Sequence, residues 1–399
     1  MSIKNLYCRT FQGAFSIINK LIPDYKQDVL SGEGKLYEIP ALLKERGLNH
    51  PLIVSGERVS KTDFFNTFVS KITGQYSIYN SVKSDPGITQ IYQMADFYRK
   101  NNCDSIIAIG GGSNLDAAKA MGALIVRPQK TLQELVGLLK VRKKIPFFVA
   151  VPTTAGTGSE CTIASVVTDD SINRKYSVGD PVLLPDVAVL DPVLTVTLPA
   201  NLTAYTGMDA LTHAVESFLN TSYHKKNTRA QALSAIKDIF EYLPKAFENG
   251  SDILARQKML QASYMAGLSF TTAAVGYVHA VAHTVGGLYQ VQHGLANSII
   301  LPRMLERYRP KIDFQLAELA ELIGAASPDA DTQAKASAFI EAVYRLNKKM
   351  GLPQCLPQIK EEDAAKMAVW ADKEANPLYP VPVILNRNDL EEFILSLKN

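Results

Sequence analysis

The chain is poor in cysteine and tryptophan and has no long apolar run, and each scarcity removes a class of protein. Its four cysteines among 399 residues, Cys8, Cys103, Cys161 and Cys355, stand far apart and form no Cys-x-x-Cys pair. That excludes a disulfide framework and a zinc ribbon and suits reduced thiols in a cytoplasm. No stretch approaches the ~18 consecutive apolar residues of a membrane span, and Met1 to Phe11 lacks the sustained apolar core of a signal peptide. A soluble cytoplasmic protein without a membrane partner is expected. An excess of one charge is also missing: 42 basic and 39 acidic residues leave a net +3, well dispersed, so no nucleic-acid footprint is present. With 47% apolar and 20% charged residues, the composition is that of a globular chain long enough for about two or three domains. Histidine is scarce too, at six residues, so where the histidines fall carries information.

Three of the six lie between Gly276 and Asn297: His279, His283 and His293, in otherwise apolar or small surroundings. His279 and His283 are four apart and share a helix face. His293 follows the pair Gly286-Gly287, which is expected to break the helix and let a third imidazole return to the first. In Gly207-Met-Asp-Ala-Leu-Thr-His-Ala-Val-Glu216, Asp209 and His213 repeat the four-residue spacing. One carboxylate with three or four imidazoles suits a divalent transition metal such as Fe, Zn, Mn or Ni. A single histidine would more often be a satisfied core residue, but four of six in two helical pairs favour a site.

The first half alternates apolar runs with helical patterns. Pro51 to Gly56, ending in turn residues, Ser105 to Ile109 and Ile145 to Val151 read as strands of a parallel sheet, with helices over Gly87 to Asn101 and Leu115 to Ile125. Ligands of such sheets sit at the carboxyl ends of the strands. There stand Gly110-Gly-Gly-Ser-Asn-Leu-Asp116 and Pro152-Thr-Thr-Ala-Gly-Thr-Gly-Ser-Glu160. The first is not the usual dinucleotide fingerprint and alone is equally a tight strand-to-helix turn. Together the two loops fit an elongated ligand with phosphates and a ring, a nicotinamide dinucleotide being the simplest. After Pro199 helical patterns dominate, as over Thr228 to Phe247 and Ala334 to Met350, and a last helix is expected near Asn388 to Leu397. The expected division is an α/β dinucleotide-binding domain over 1–199 and an all-α domain over 200–399. Asn376 to Val383 is proline-rich, and composition gives it no function.

In family order and spacing, these four motifs resemble the iron-containing, or group III, alcohol dehydrogenase family over roughly residues 30–395. The resemblance implies the dehydroquinate synthase-like architecture, with a parallel-sheet domain, a helical domain and a divalent metal between them, Fe2+ first and Zn2+ next. It implies Asp209, His213, His279 and His293 as metal ligands and His283 as proton-relay residue. It implies Gly111, Gly112 and Ser113 on the pyrophosphate with Asp116 beside them, and Thr153, Thr154, Thr157 and Lys175 on the cofactor. Many NAD-using members carry Val-Thr-Asp after the first strand, where this chain has Val54-Ser55-Gly56; loss of the aspartate favours NADP(H) over NAD(H), with Gly56 at the ribose. Asp85 stands where some relatives have asparagine. Phe270 and Ala164 are expected to line the pocket for a small aldehyde or alcohol, and a homo-oligomer, a dimer, is expected. Competing readings are a zinc hydrolase, which His279-Ala-Val-Ala-His283 disfavours for want of the glutamate of His-Glu-x-x-His, a lyase of the dehydroquinate synthase type, and a non-catalytic dinucleotide-binding protein.

Overall fold

The structure, a computed structural model, describes residues 3–21, 26–170 and 174–399. It opens with helix α1 (Ile3–Leu21), whose amphipathic pattern is inverted. Cys8, Gln12 and Asn19 are buried, while Ile3, Leu6, Tyr7, Ile17 and Ile18 are exposed. The chain forms two compact units, one of Asp24–Leu198 with Gly250–Tyr264, the other of Met1–Pro23, Pro199–Asn249 and Met265–Asn399. The main change of unit falls at Leu198/Pro199, beside the division expected at 199/200, but two segments group otherwise. The donors of α1 bond residues of the second unit. Arg256 bonds the carbonyls of Gly250 and Leu198, and the Tyr264 hydroxyl bonds Gln27 Oε1, which ties Gly250–Tyr264 to the first.

The first unit is α/β. Its strands are β1 (Asp28–Ser31), β2 (Pro51–Ser55), β3 (Ser77–Tyr79), β4 (Ser105–Gly110), β5 (Gly137–Leu138), β6 (Phe147–Pro152), β7 (Ala164–Asp169), β8 (Arg174–Gly179) and β9 (Val187–Leu190). Six make a sheet in the order β1-β9-β6-β4-β2-β3, parallel throughout. Its helices are α2 (Ile39–Glu45), α3 (Glu57–Ser60), α4 (Asp63–Ser70), α5 (Ile88–Lys100), α6 (Gly112–Val126) and α7 (Leu132–Leu135).

Successive strand side chains point to opposite faces, so a continuously apolar strand needs cover on both. Leu52, Val54, Ile106, Ala108 and Phe148 pack with Ile91 and Met94 of α5 and Leu115 and Met121 of α6. Their neighbours Ile53, Ile107, Ile109, Val149 and Val151 pack with Leu43 of α2 and Phe65 and Phe68 of α4. Truncating one such residue, as in Ile107→Ala, costs ~2–5 kcal/mol. A second sheet, β5-β8-β7, contains an antiparallel β7–β8 pair that the strand reading of the sequence did not anticipate.

The second unit is helical: α1, then α8 (Ala200–Leu219), α9 (Thr228–Glu248), the later part of α10 (Ile253–Ala273), α11 (Tyr277–Tyr289), α12 (His293–Tyr308), α13 (Asp313–Leu322), α14 (Thr332–Lys349), α15 (Glu361–Ala375) and α16 (Arg387–Ser396). The helices expected from 228, 334 and 388 are present to within a few residues. The expected break at Gly286-Gly287 is not. Helix α11 runs through both glycines, which a buried helix tolerates at ~1 kcal/mol each. It ends at Gln290, left-handed at φ 55°, whose N–H bonds Gly286 O at 3.0 Å. Among the described residues, no single helix is long and apolar enough to cross a membrane.

Candidate metal centre and cofactor loops

In the helical unit, α8 presents Asp209 and His213 one turn apart, and α11 presents His279 and His283 in the same way. Ligand atoms of Asp209, His213 and His279 all lie within 4.8 Å of one another, and all three residues are buried. His293, the first residue of α12, brings Nε2 to 3.4 Å from Asp209 Oδ1, while His279 Nε2 is 3.7 Å from the same oxygen. Such separations suit donors that each reach a common ion at about 2.0–2.2 Å. Close approach of α12 to α8 depends on Gly294: a Cβ there would stand 2.0 Å from Tyr205 O.

The rings are held from behind. Glu216 Oε2 accepts from His279 Nδ1 at 2.6 Å, and the same carboxylate accepts the N–H groups of Gly276 and Val278, each at 2.8 Å. Glu216 thus holds Nδ1 of His279 and turns Nε2 toward Asp209. Phe270 stacks on His213 with centroids 4.1 Å apart. Burial would raise the Asp209 carboxyl, yet the imidazoles of His213, His293 and His279 hold it well below the usual carboxylate range. Burial would lower His279, but Asp209 and Glu216 bring it up to about 9. Two buried carboxylates among imidazoles thus make a pocket that favours positive charge.

His283 is built on the same plan with a different outlook. Its Nδ1 bonds Glu374 Oε1 at 2.7 Å, and the Tyr379 hydroxyl donates to that oxygen at 3.1 Å. Its side chain is 23% exposed against 3% for His279, so the free ring nitrogen can meet a substrate or solvent. His283 stacks on His293 with centroids 5.0 Å apart.

Three residues here were given no role by the sequence. Glu216 closes the motif that begins at Gly207, and its spacing of seven from Asp209 on α8 was an available signal. Asn297 closes the histidine stretch; its Nδ2 donates to Asp209 Oδ1 at 2.7 Å and lies 3.2 and 3.4 Å from Nε2 of His293 and His279. Its buried Oδ1 has no hydrogen-bond partner among the described residues. Glu374, ninety-one positions from His283, had no signal.

In the α/β unit, β2, β4 and β6 are neighbours, so the segments that follow them lie side by side at the carboxyl edge of the sheet. Gly111 caps α6 through its backbone alone, with no side chain bonded to the first-turn amides, which leaves an open helix N-terminus of the kind that takes phosphate. Gly112 abuts the second loop: a Cβ there would meet Thr157 Cγ2 at 2.6 Å. Gly111 faces Thr154, the Thr153 N–H bonds Gly110 O, and the Ser113 Oγ accepts from the Asp85 N–H at 3.3 Å. Gly56 lies beside Asn114, whose buried Nδ2 has no partner among the described residues. An unmet donor and an uncapped helix end at adjacent strand ends are what a dinucleotide would satisfy.

Asp116 is turned to the protein. Its carboxylate accepts Ser159 Oγ at 2.6 Å and the Val166 N–H at 3.0 Å, so it joins the start of α6 to the second loop and to β7. Beneath it, buried Lys119 bonds Ser159 O, Ser159 Oγ, Thr162 Oγ1 and Ala164 O at 2.5–3.0 Å. Burial, set against the attraction of Asp116, brings its ammonium down to about 8. Lys175 forms an ion pair with Asp85 at 2.5 Å, and Asp85 is left-handed at φ 50°. Ala164 begins β7.

Residues 26–192 match the family described as iron-containing alcohol dehydrogenase, and residues 203–397 match the C-terminal domain of the Fe-containing alcohol dehydrogenase family. The chain is 38% identical to an NAD-dependent methanol dehydrogenase of Bacillus methanolicus over 342 residues, 84% of this chain and 89% of the relative. It is 35% identical to an NADPH-dependent butanol dehydrogenase of Clostridium saccharobutylicum over 343 residues, 83% and 85% of the two chains. Its structure resembles that of a 1,3-propanediol oxidoreductase with a TM-score of 0.89 at 32% identity, covering 94% of this chain and all of that one. The chain belongs to the iron-containing alcohol dehydrogenase family, metal-dependent oxidoreductases that act on CH–OH groups.

Proposed function

We propose that this alcohol dehydrogenase interconverts a small aldehyde and its alcohol with NADP(H), using a divalent ion held by Asp209, His213, His279 and His293 and a proton relay through His283. The observation that carries the reading is the convergence of Asp209, His213 and His279 on α8 and α11, with His293 of α12 3.4 Å from Asp209, one imidazole oriented by Glu216 and a fourth, His283, oriented by Glu374. When bound, the metal supplies Lewis acidity to a carbonyl or alkoxide oxygen and the nicotinamide supplies or accepts hydride.

The chain's own residues do the rest. Glu216 holds Nδ1 of His279, so that Nε2 is the nitrogen that would bind the metal. Glu374 holds the Nδ1 proton of His283, leaving Nε2 to take or give the alcohol proton. Backbone amides at the start of α6 and the donors at Ser113, Thr153, Thr154 and Thr157 would hold the pyrophosphate and the amide of the cofactor. Lys119 and Asp116 keep those two loops in register.

Preference for NADP(H) rests on Gly56, where no carboxylate stands to repel a 2′-phosphate. Glu57 is engaged by Lys61 at 2.6 Å and Ser60 Oγ donates to Glu57 O at 3.0 Å, which leaves Arg58 as the donor this turn offers a 2′-phosphate. One relative above uses NAD and another NADPH, so the ratio of kcat/KM for NADPH and NADH with one good aldehyde is the deciding measurement. A tenfold preference for NADH, about 1.4 kcal/mol, would overturn this choice. Gly56→Asp should shift the ratio toward NADH, with Val82 O giving way, since it lies 3.2 Å from the new Cβ. The family resemblance supports a homo-oligomer, a dimer in the first instance, which sedimentation measures, and the four widely separated cysteines suit a cytoplasm. A screen of short aldehydes and alcohols with both cofactors on iron- and zinc-loaded protein tests the whole reading. Turnover of none of them would sink it.

A further inference from the structure

We propose that α1 is a clamp on the proline-rich segment 376–385 and, through Gln12, a positioning element for His283. The inference rests on the proton-relay reading of His283.

The segment Asn376-Pro-Leu-Tyr-Pro-Val-Pro-Val-Ile-Leu385 forms neither helix nor strand, and its prolines at 377, 380 and 382 carry no N–H. With three N–H groups missing and no helix or strand formed, several of its carbonyls take donors from elsewhere. The inward polar face of α1 supplies them. Gln12 Nε2 donates to Pro377 O at 3.1 Å and to Tyr379 O at 2.8 Å. Arg9 donates to Pro382 O at 2.9 Å, and Lys4 donates to Leu385 O at 2.9 Å and to Asp372 at 2.6 Å. Outside α1, Tyr223 donates to Leu378 O at 2.8 Å and Tyr277 to Leu385 O at 3.3 Å. Gln12 is 1% exposed, and its Oε1 accepts from Arg9 Nη1 at 2.9 Å, which fixes the amide with both donors on the segment. This accounts for the inverted pattern of α1: its buried face is a row of donors, not an apolar stripe.

The clamp leads to the reacting group in three contacts. Gln12 holds the carbonyl of Tyr379; the hydroxyl of Tyr379 donates to Glu374 Oε1; that oxygen holds Nδ1 of His283. Releasing Tyr379 frees Glu374 to turn and His283 to lose the orientation its proton transfer needs, and small misplacements of such groups are costly in rate. Helix α1 lies ahead of residue 26, where the family match begins, so the clamp comes from outside the matched ranges.

The test compares Gln12→Met, which removes both donors at similar volume, with Ser16→Ala, which changes α1 where it bonds Ser222 O instead. For Gln12→Met, kcat should fall about tenfold with KM within about twofold, and backbone hydrogen exchange over 374–385 should quicken; Ser16→Ala should change neither. Tyr379→Phe should lower kcat by a similar factor, and the double variant Gln12→Met/Tyr379→Phe should be no slower than the slower single one, because both act through Glu374. Unchanged kcat with unchanged exchange in Gln12→Met overturns the clamp, and so do losses that multiply in the double variant. His283→Asn separates the two levels: if it turns over like wild type, the relay reading fails, while exchange over 374–385 still decides whether α1 holds the segment. Should Gln12→Met not fold, Arg9→Met, which removes the donor to Pro382 O and the partner of Gln12, carries the same comparison.

Discussion

Glu216 and His279 share a 2.6 Å hydrogen bond between two buried side chains, and that bond decides which nitrogen of His279 faces Asp209. Replacing Glu216 by Gln keeps an acceptor and the volume but removes the charge that holds the Nδ1 proton. Metal affinity should fall by about 10–100-fold, read by chelator competition. Glu216→Ala should also strip the N–H groups of Gly276 and Val278 of their acceptor, at ~1–3 kcal/mol each, and lower the thermal midpoint as well.

His283 should separate from the four ligands in its consequences. His283→Ala is expected to leave metal content near wild type while turnover drops by ~10²–10⁴-fold, as for an acid–base group. Glu374→Gln should reproduce part of the rate loss at unchanged metal content, since it disturbs the orienting bond and not the ring. Loss of metal along with activity in His283→Ala would reassign the residue as a ligand.

The helical spacing of Asp209 with His213 and of His279 with His283 made half the site legible in sequence, because two side chains one turn apart must share a face. The strand-end loops were legible for a similar reason: continuously apolar runs fix a parallel sheet, and its carboxyl edge fixes where Gly111 and Thr154 lie. What was not legible depends on long-range pairing. Glu374 meets His283 across ninety-one positions, and Asp85 meets Lys175 across ninety. Nor did composition distinguish the donors of α1 from an ordinary polar surface, since its apolar residues follow helical spacing and yet face outward. Glycine misled once, at Gly286-Gly287, where packing of α11 outweighed a modest propensity cost and the turn fell to Gln290.

The Asp85–Lys175 pair sets the charge beside the glycine loop that opens α6, for the Asp85 N–H also bonds Ser113 Oγ. Asp85→Asn keeps a residue that tolerates the left-handed backbone at φ 50° and releases the lysine. NADPH should then bind about two- to fivefold more tightly, the modest size following from the exposure of the pair. A fluorescence titration of the variant against wild type measures it, and weaker binding would mean that the ion pair itself shapes the site.

Burial raises the Glu160 carboxyl to about 7, against its own N–H and Lys119, which lower it. The folded chain therefore holds that proton more tightly than the unfolded chain, whose value is near 4.5. The stabilisation is complete below the unfolded value and is lost as pH rises through the interval up to about 7. Lys119, brought down from 10.5 to about 8 by burial, has the opposite slope: its penalty is complete below pH 8 and relaxes as pH rises toward 10.5. Thermal midpoints of wild type and Glu160→Gln, followed from pH 4.5 to 7, should show wild type declining relative to the variant. Parallel curves would mean that Glu160 does not titrate in this window.

The central claim is that Asp209, His213, His279 and His293 hold one divalent ion. Elemental analysis of purified wild type, His279→Ala and His293→Ala, each loaded with iron or zinc and desalted, tests it most directly. The account predicts about one ion per wild-type chain, as one four-ligand centre holds, and little in either variant; full, tight occupancy in both variants would contradict it.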